Sequence, residues 1–151
     1  MDGRKRIAFT AHDAVKPSLG AWAFANERAL SAHELIATGN TGRVMMDVTG
    51  LKIRCLRSGT LGGDLELGAM IADAQVDILV VFTDPLTREP HDTDPAPLLR
   101  IANIAQIAVA TTETTADFIV RSELLSQPYH KAGGARALPP VAQRITRREM
   151  S

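Results

Sequence analysis

Val76 to Phe82 read VDILVVF. All but Asp77 are apolar, and β-branched residues predominate. A strand with one wet face alternates apolar and polar residues. An unbroken run like this predicts a strand covered on both faces, as in a parallel sheet. Outward from it lie four shorter runs bounded by polar or glycine-rich segments: RIAFTA (6–11), HELIATG (33–39), LKIRCL (51–56) and IAVAT (107–111). LKIRCL alternates apolar with basic residues, which suits an edge. Helical patterns fall between these runs. SLGAWAFANERAL (18–30) follows Pro17, and TGRVMMDVTG (41–50) ends in a glycine that suits a C-terminal stop. DLELGAMIADA (64–74) sets Leu65, Ala69 and Ala72 at helical spacing, with Leu67, Met70 and Ile71 widening the stripe. DPAPLLRIANIA (94–105) offers Asp94 as N-cap and Pro95 at the first helical position, and TTADFIVRSEL (114–124) is the last. Strands alternating with helices predict a three-layer α/β/α fold, Rossmann-like, around a five-stranded, mostly parallel sheet. The domain is expected over 1–125. Residues 126–151 read as a loop and a basic tail that packs on the same domain or on a neighbouring subunit.

The 151 residues are enough for one domain with a sound core. Hydrophobic residues make up 45% and charged residues 23%, a globular composition, and the formal net charge is zero. A balanced charge argues against nucleic-acid and membrane-surface partners, which call for a basic excess. The exception is the tail, where Lys131, Arg136, Arg144, Arg147 and Arg148 face one acid, Glu149. A tail of this kind suits an anionic ligand or a neighbouring subunit. Cys55 is the only cysteine. No intrachain disulfide can form, and the expected compartment is the reducing cytoplasm. The opening MDGRKRIAFTAHD holds no apolar stretch of signal-peptide length, and no apolar run approaches the roughly 20 residues of a membrane-spanning helix.

In a sheet of this type, ligands bind outside the carboxyl ends of the strands. The segments to read there are AHDAVK, TGNTG, RSGTLGGD and TDPLTREPHDTD. Thr38, Asn40, Thr41 and Ser58 bring short polar side chains. Gly39, Gly42, Gly59, Gly62 and Gly63 permit backbone N–H groups to converge, and together these features predict a phosphate cradle. No Gly-Lys-Ser/Thr follows, so neither loop is a P-loop. Lys16 adds a compact positive charge. Asp64, directly after two glycines, has a plain reading as a helix cap and a functional one as a carboxylate aimed at a ligand. In TDPLTREPHDTD, Asp84, His91, Asp92 and Asp94 crowd into one loop. That predicts acid–base work, with ordinary loop polarity as its rival and no metal, because no pair has regular helical ligand spacing. His12 and Asp13 repeat the theme after the first strand. His33 and His130 receive no role.

Taken jointly, AHD..K (11–16), ATG.TG (37–42), SG..GGD (58–64), DP (84–85), PHD.D (90–94) and VAT...TADF (109–118) resemble the methylglyoxal synthase family over roughly residues 5–122. The resemblance implies a cytoplasmic lyase that converts dihydroxyacetone phosphate to methylglyoxal and inorganic phosphate. It implies a homohexamer, no cofactor, and inhibition by phosphate. It assigns Asp64 as the catalytic base and His91 as the residue that steadies the enediolate. His12, Asp84 and Asp94 are active-site residues, with Lys16, Thr38, Thr41, Ser58 and Gly59 on the phosphate. Asn40 departs from a position where the family often has a hydroxyl. Arg148 or Arg147 stands for a late arginine that reaches a neighbouring site. Two other readings stay open: a non-catalytic phosphate- or nucleotide-binding regulatory module of the same fold, and a metal-dependent phosphohydrolase built on PHDTD. The joint presence of Asp64, His91, Asp94 and His12 favours the enzyme over the module.

Overall fold

The computed structural model describes residues 1–87 and 89–131. Five strands form one sheet in the order β3-β2-β1-β4-β5. They are β1 (Arg6–Ala11), β2 (Glu34–Ala37), β3 (Ile53–Cys55), β4 (Ile78–Phe82) and β5 (Ala108–Ala110). Every pairing is parallel. All five residues of β4 are buried, as VDILVVF predicts. The strand begins two residues later than that run. Asp77 accepts hydrogen bonds from the backbone and guanidinium of Arg6, which anchors the foot of β4 to the foot of β1.

Alternation along the strands divides the core in two. Ile7, Phe9, Leu35, Ile78, Val80 and Phe82 point to one face. There they meet α1 (Lys16–Ala25), the short α2 (Glu27–Leu30), α3 (Gly39–Val48) and α6 (Glu113–Val120). Ala8, Ile36, Leu79 and Val81 point to the other face, under α4 (Gly63–Ala72) and α5 (Ala96–Ala105). The result is the expected three-layer sandwich.

Three helix expectations need correction. The 18–30 pattern starts earlier, at Lys16, with Pro17 inside the first turn, and it divides at Asn26. Asn26 sits at φ −113°, ψ 16°, and its amide donates to Trp22 O. An Asn side chain competing for the backbone in this way interrupts a helix. Next, α3 runs 39–48 rather than 41–50, and Thr49, in extended conformation, ends it in place of Gly50. Thr49 Oγ1 donates to Met45 O, which occupies one of the helix's terminal carbonyls. Finally, the buried stripe of α4 is Gly63, Leu67 and Ile71, while Leu65 is 71% exposed. So many apolar residues fall on this helix that its sequence fits more than one phase.

Candidate functional site

The chain winds from β1 to β3 in one direction and then crosses to β4 and β5 in the other. The switch point lies between β1 and β4, and a crevice opens there at their carboxyl ends. Its walls include Thr10, His12, Lys16, Asn40, Gly59 and His91. Each arrives from a different part of the upper edge. β1 delivers His12 and Asp13, α1 begins with Lys16, and β2 leads through Thr38 into α3. The turn after β3 presents Gly59 and Thr60, and the loop between β4 and α5 carries His91, Asp92 and Thr93.

Asp13 sits at the centre of the charge. One carboxylate oxygen is hydrogen-bonded to the Lys16 ammonium and the other to His91 Nε2. Those hydrogen bonds, Lys16 first, hold the Asp13 carboxyl below its ordinary value despite partial burial. The same contact raises the pKa of the exposed His91. Donor atoms of Asp13, His91 and Asp92 lie within 4.8 Å of one another, a spacing a cation can use. Lys16 and His91 already occupy the Asp13 oxygens, and both Asp92 oxygens accept backbone N–H groups, so the group is satisfied without a cation.

Beneath this cluster runs a chain of hydroxyls. Thr38 Oγ1 lies 3.1 Å from both Thr10 Oγ1 and Thr41 Oγ1, and Thr41 Oγ1 accepts from Ala11 N at 3.2 Å. Thr41 is 1% exposed, so it supports Thr38 from below and does not face the crevice. At the start of α3, Gly39 N is engaged with Arg57 O. The next first-turn amides, of Asn40 and Thr41, have no helical acceptor. Ser58 turns its hydroxyl to Thr60 at 3.1 Å, next to Gly59 on the wall.

His12 is fixed at one nitrogen. Its Nε2 is 2.8 Å from Thr93 O, and its buried Nδ1, without a hydrogen-bond partner, faces Asp92 Oδ2 at 3.8 Å. A carbonyl can only accept, so Nε2 carries the proton. His12 is thus a strut between two loops in this conformation. Both imidazoles line the crevice, and His91 is the exposed one, its side chain 54% exposed against 10% for His12.

The remaining predicted residues lie off this wall. Asp64 is in the first turn of α4, half-buried. It forms no capping bond, because Gly62 is the N-cap, at φ +92°. Both glycines before it have backbone reasons. Gly62 occupies the left-handed region, and a Cβ on Gly63 would fall 1.7 Å from Arg57 O. The acid sits in the helix's first turn, three residues after the Gly59–Leu61 turn ends, with no hydrogen-bond or ion-pair partner among the described residues. Asp84 Oδ1 accepts from Leu86 N and Thr87 N, which closes its own turn. Asp94 Oδ1 caps Ala96 N at 3.0 Å from one residue before the N-cap, which is Pro95 and not Asp94 as expected. Arg147 and Arg148 lie outside the described residues. Sequence reasoning grouped Asp13 and Asp92 with acid–base work but assigned neither to the site, although these two acids organise the wall. The three-residue interval from Asp13 to Lys16 at a helix start was the available signal for the first.

A family model described as MGS-like domain matches residues 20–111. The chain is 49% identical over 123 residues to a curated protein named methylglyoxal synthase from Yersinia pestis (strain Pestoides F), covering 82% of this chain and 80% of that one. The same identity and coverage hold for the methylglyoxal synthase of Yersinia pseudotuberculosis serotype O:3 (strain YPIII). Among solved structures, the crystal structure of methylglyoxal synthase from Elizabethkingia anophelis NUHP1 superposes with a TM-score of 0.83 at 39% identity, covering 85% of each chain.

Proposed function

The chain belongs to the methylglyoxal synthase family; it is a lyase that releases methylglyoxal and inorganic phosphate from dihydroxyacetone phosphate, and we propose the following division of that reaction among its residues. The phosphate docks against the open amides at the start of α3 and the Gly59–Thr60 turn, with Thr38, Asn40 and Ser58 as polar contacts and Thr41 supporting from below. Lys16 supplies the cation. The dianion displaces the Asp13 carboxylate, which holds Lys16 and His91 while the site is empty. Asp64 then removes a carbon-bound proton. Negative charge develops on the carbonyl oxygen, where His91 donates. A donor placed there is worth about 3–4 kcal/mol. With the C–O bond to phosphate held out of the enediolate plane, its electrons overlap, phosphate leaves, and the enol tautomerises to methylglyoxal.

One observation carries the reading. Lys16 and His91 converge on a single carboxylate beside a helix N-terminus, at the switch point of a parallel sheet. A carboxylate held by two cationic donors marks where an anion is recognised. His12, Asp84 and Asp94 belong to the same assignment as loop-shaping groups around the reacting centre. Asp64 retains an unpaired carboxylate, which suits a base.

Finer points complete the proposal. Inorganic phosphate inhibits by occupying the cradle. The enzyme uses no cofactor and works in the cytoplasm; among the described residues no helix is long and apolar enough to cross a membrane. It assembles as a homohexamer, for which the exposed Leu86, Phe118 and Phe24 offer apolar contact. The domain spans 1–125, and Arg148 or Arg147, outside the described residues, is the arginine assigned to an adjacent site. Mixing the protein with dihydroxyacetone phosphate, chelator present, tests the reading. Equal amounts of methylglyoxal and inorganic phosphate are expected. Phosphate binding without turnover would instead identify a regulatory module.

A further inference from the structure

Asp92 is the deeply buried acid of the upper edge, its side chain 3% exposed. Asp94, two residues on, is exposed and serves as a cap. The Asp92 carboxylate is shared between two loops. Oδ1 accepts from Asp13 N at 3.3 Å, and Oδ2 accepts from Glu89 N at 3.0 Å. Oδ2 also lies 3.8 Å from the unpartnered His12 Nδ1. His12 closes the ring from the far side, through Nε2 to Thr93 O. Burying a carboxylate is costly unless its oxygens are hydrogen-bonded, and here every partner belongs to a segment that flanks a wall residue. Asp13 and Lys16 ride on one segment and His91 on the other. The contact of His91 with Asp13 joins two side chains whose backbones are tied to the same carboxyl group.

We propose that Asp92 is a positioning residue for the lyase reaction: it clasps the loop after β1 to the loop before α5, and so holds Lys16 and His91 on a common side of the crevice. Enclosed in this ring, it acts through His12, Asp13 and His91 and does not touch substrate. The proposal rests on the assignment of His91 to the reacting oxygen.

The test compares Asp92→Asn with Asp92→Ala in the full chain. Asn keeps the shape and one acceptor oxygen, whereas Ala keeps neither. Displacing reacting groups by about 1 Å can cost about 100-fold in rate. Asp92→Ala is expected to lower kcat by about that factor, with Asp92→Asn restoring part of it. Inorganic phosphate, which depends on the clasp only through the placement of Lys16 and is also held by α3 and the Gly59 turn, is expected to lose less affinity than kcat loses rate. A second readout is the NMR titration of His91, which faces Asp13, Asp92 and Glu89, with Lys16 across Asp13. Its midpoint is expected to fall towards that of a free histidine in Asp92→Asn. Folded variants with wild-type kcat and an unmoved His91 midpoint overturn the proposal, as does a loss of phosphate affinity larger than the loss of kcat. If wild-type protein shows no lyase activity, the functional reading fails. The His91 titration still decides the clasp.

Discussion

The β1–β4 pair carries an ionic cluster at each end, and the two differ in how their carboxylates are used. At the foot, Asp77 accepts from Arg6 N at 2.8 Å and from the Arg6 guanidinium at 3.1 and 3.0 Å. Burial opposes its charge, yet those bonds outweigh it and hold the Asp77 carboxyl below its ordinary value. At the top, Asp13 is 41% exposed and holds only side-chain tips, those of Lys16 and His91. A phosphate can take over such donors without disturbing a backbone bond. The same ion-pair chemistry therefore locks two strands together at one end and reserves donors for a ligand at the other.

The largest effect expected from breaking this contrast is at the foot. Asp77→Ala strands the Arg6 N–H and guanidinium. It should cost about 2 kcal/mol in urea unfolding, because water reaches an Arg6 side chain that is 35% exposed. kcat should not change. Next, Lys16→Ala removes a charged hydrogen-bond donor worth about 1.5–3 kcal/mol. It should raise KM and the inhibition constant of phosphate together, with little change in unfolding. A fall in stability with unchanged KM would reverse the roles given to the two ends.

Smaller effects sharpen the picture. Asp13→Asn frees Lys16 and His91 from their internal anion. Exposed pairs are worth up to about 1 kcal/mol, so inorganic phosphate should bind up to about fivefold tighter by calorimetry. The pH dependence should also divide by end. Asp77 has a depressed folded pKa, so its contribution is present above the ordinary carboxylate range, about 4, and is lost as pH falls through the folded value. His91 has a raised one, so its contribution is complete below about 6.5 and fades as pH rises through the folded value. Unfolding of Asp77→Asn should weaken the acid limb, leaving the part that the depressed Asp13 carboxyl contributes, and keep the alkaline one.

The architecture was legible because VDILVVF allows one reading and the other strands fall at intervals that leave room for helices. Boundaries were less so. Asn26 divides a helix through a side-chain bond that hydropathy does not register. Leu65 stands among apolar residues that leave the phase of α4 open. At the site, the loops were legible as loops, and the resemblance assigned His12, Lys16, Thr38, Asn40, Gly59 and His91 of the wall. The double glycine before Asp64 looks like an anion cradle, yet a positive φ at Gly62 and the nearness of Arg57 O to Gly63 account for both. Asp92 and Asp94 are chemically alike and two residues apart. Only the fold makes one a buried clasp and the other an exposed cap.

The central claim is that Asp64 takes the proton from a triose phosphate held at the upper edge. Asp64→Asn keeps the shape and removes the base. Measured with dihydroxyacetone phosphate under single-turnover conditions, this variant should bind inorganic phosphate as the parent does and yield no methylglyoxal. Methylglyoxal formed at close to the parent's rate would contradict the assignment.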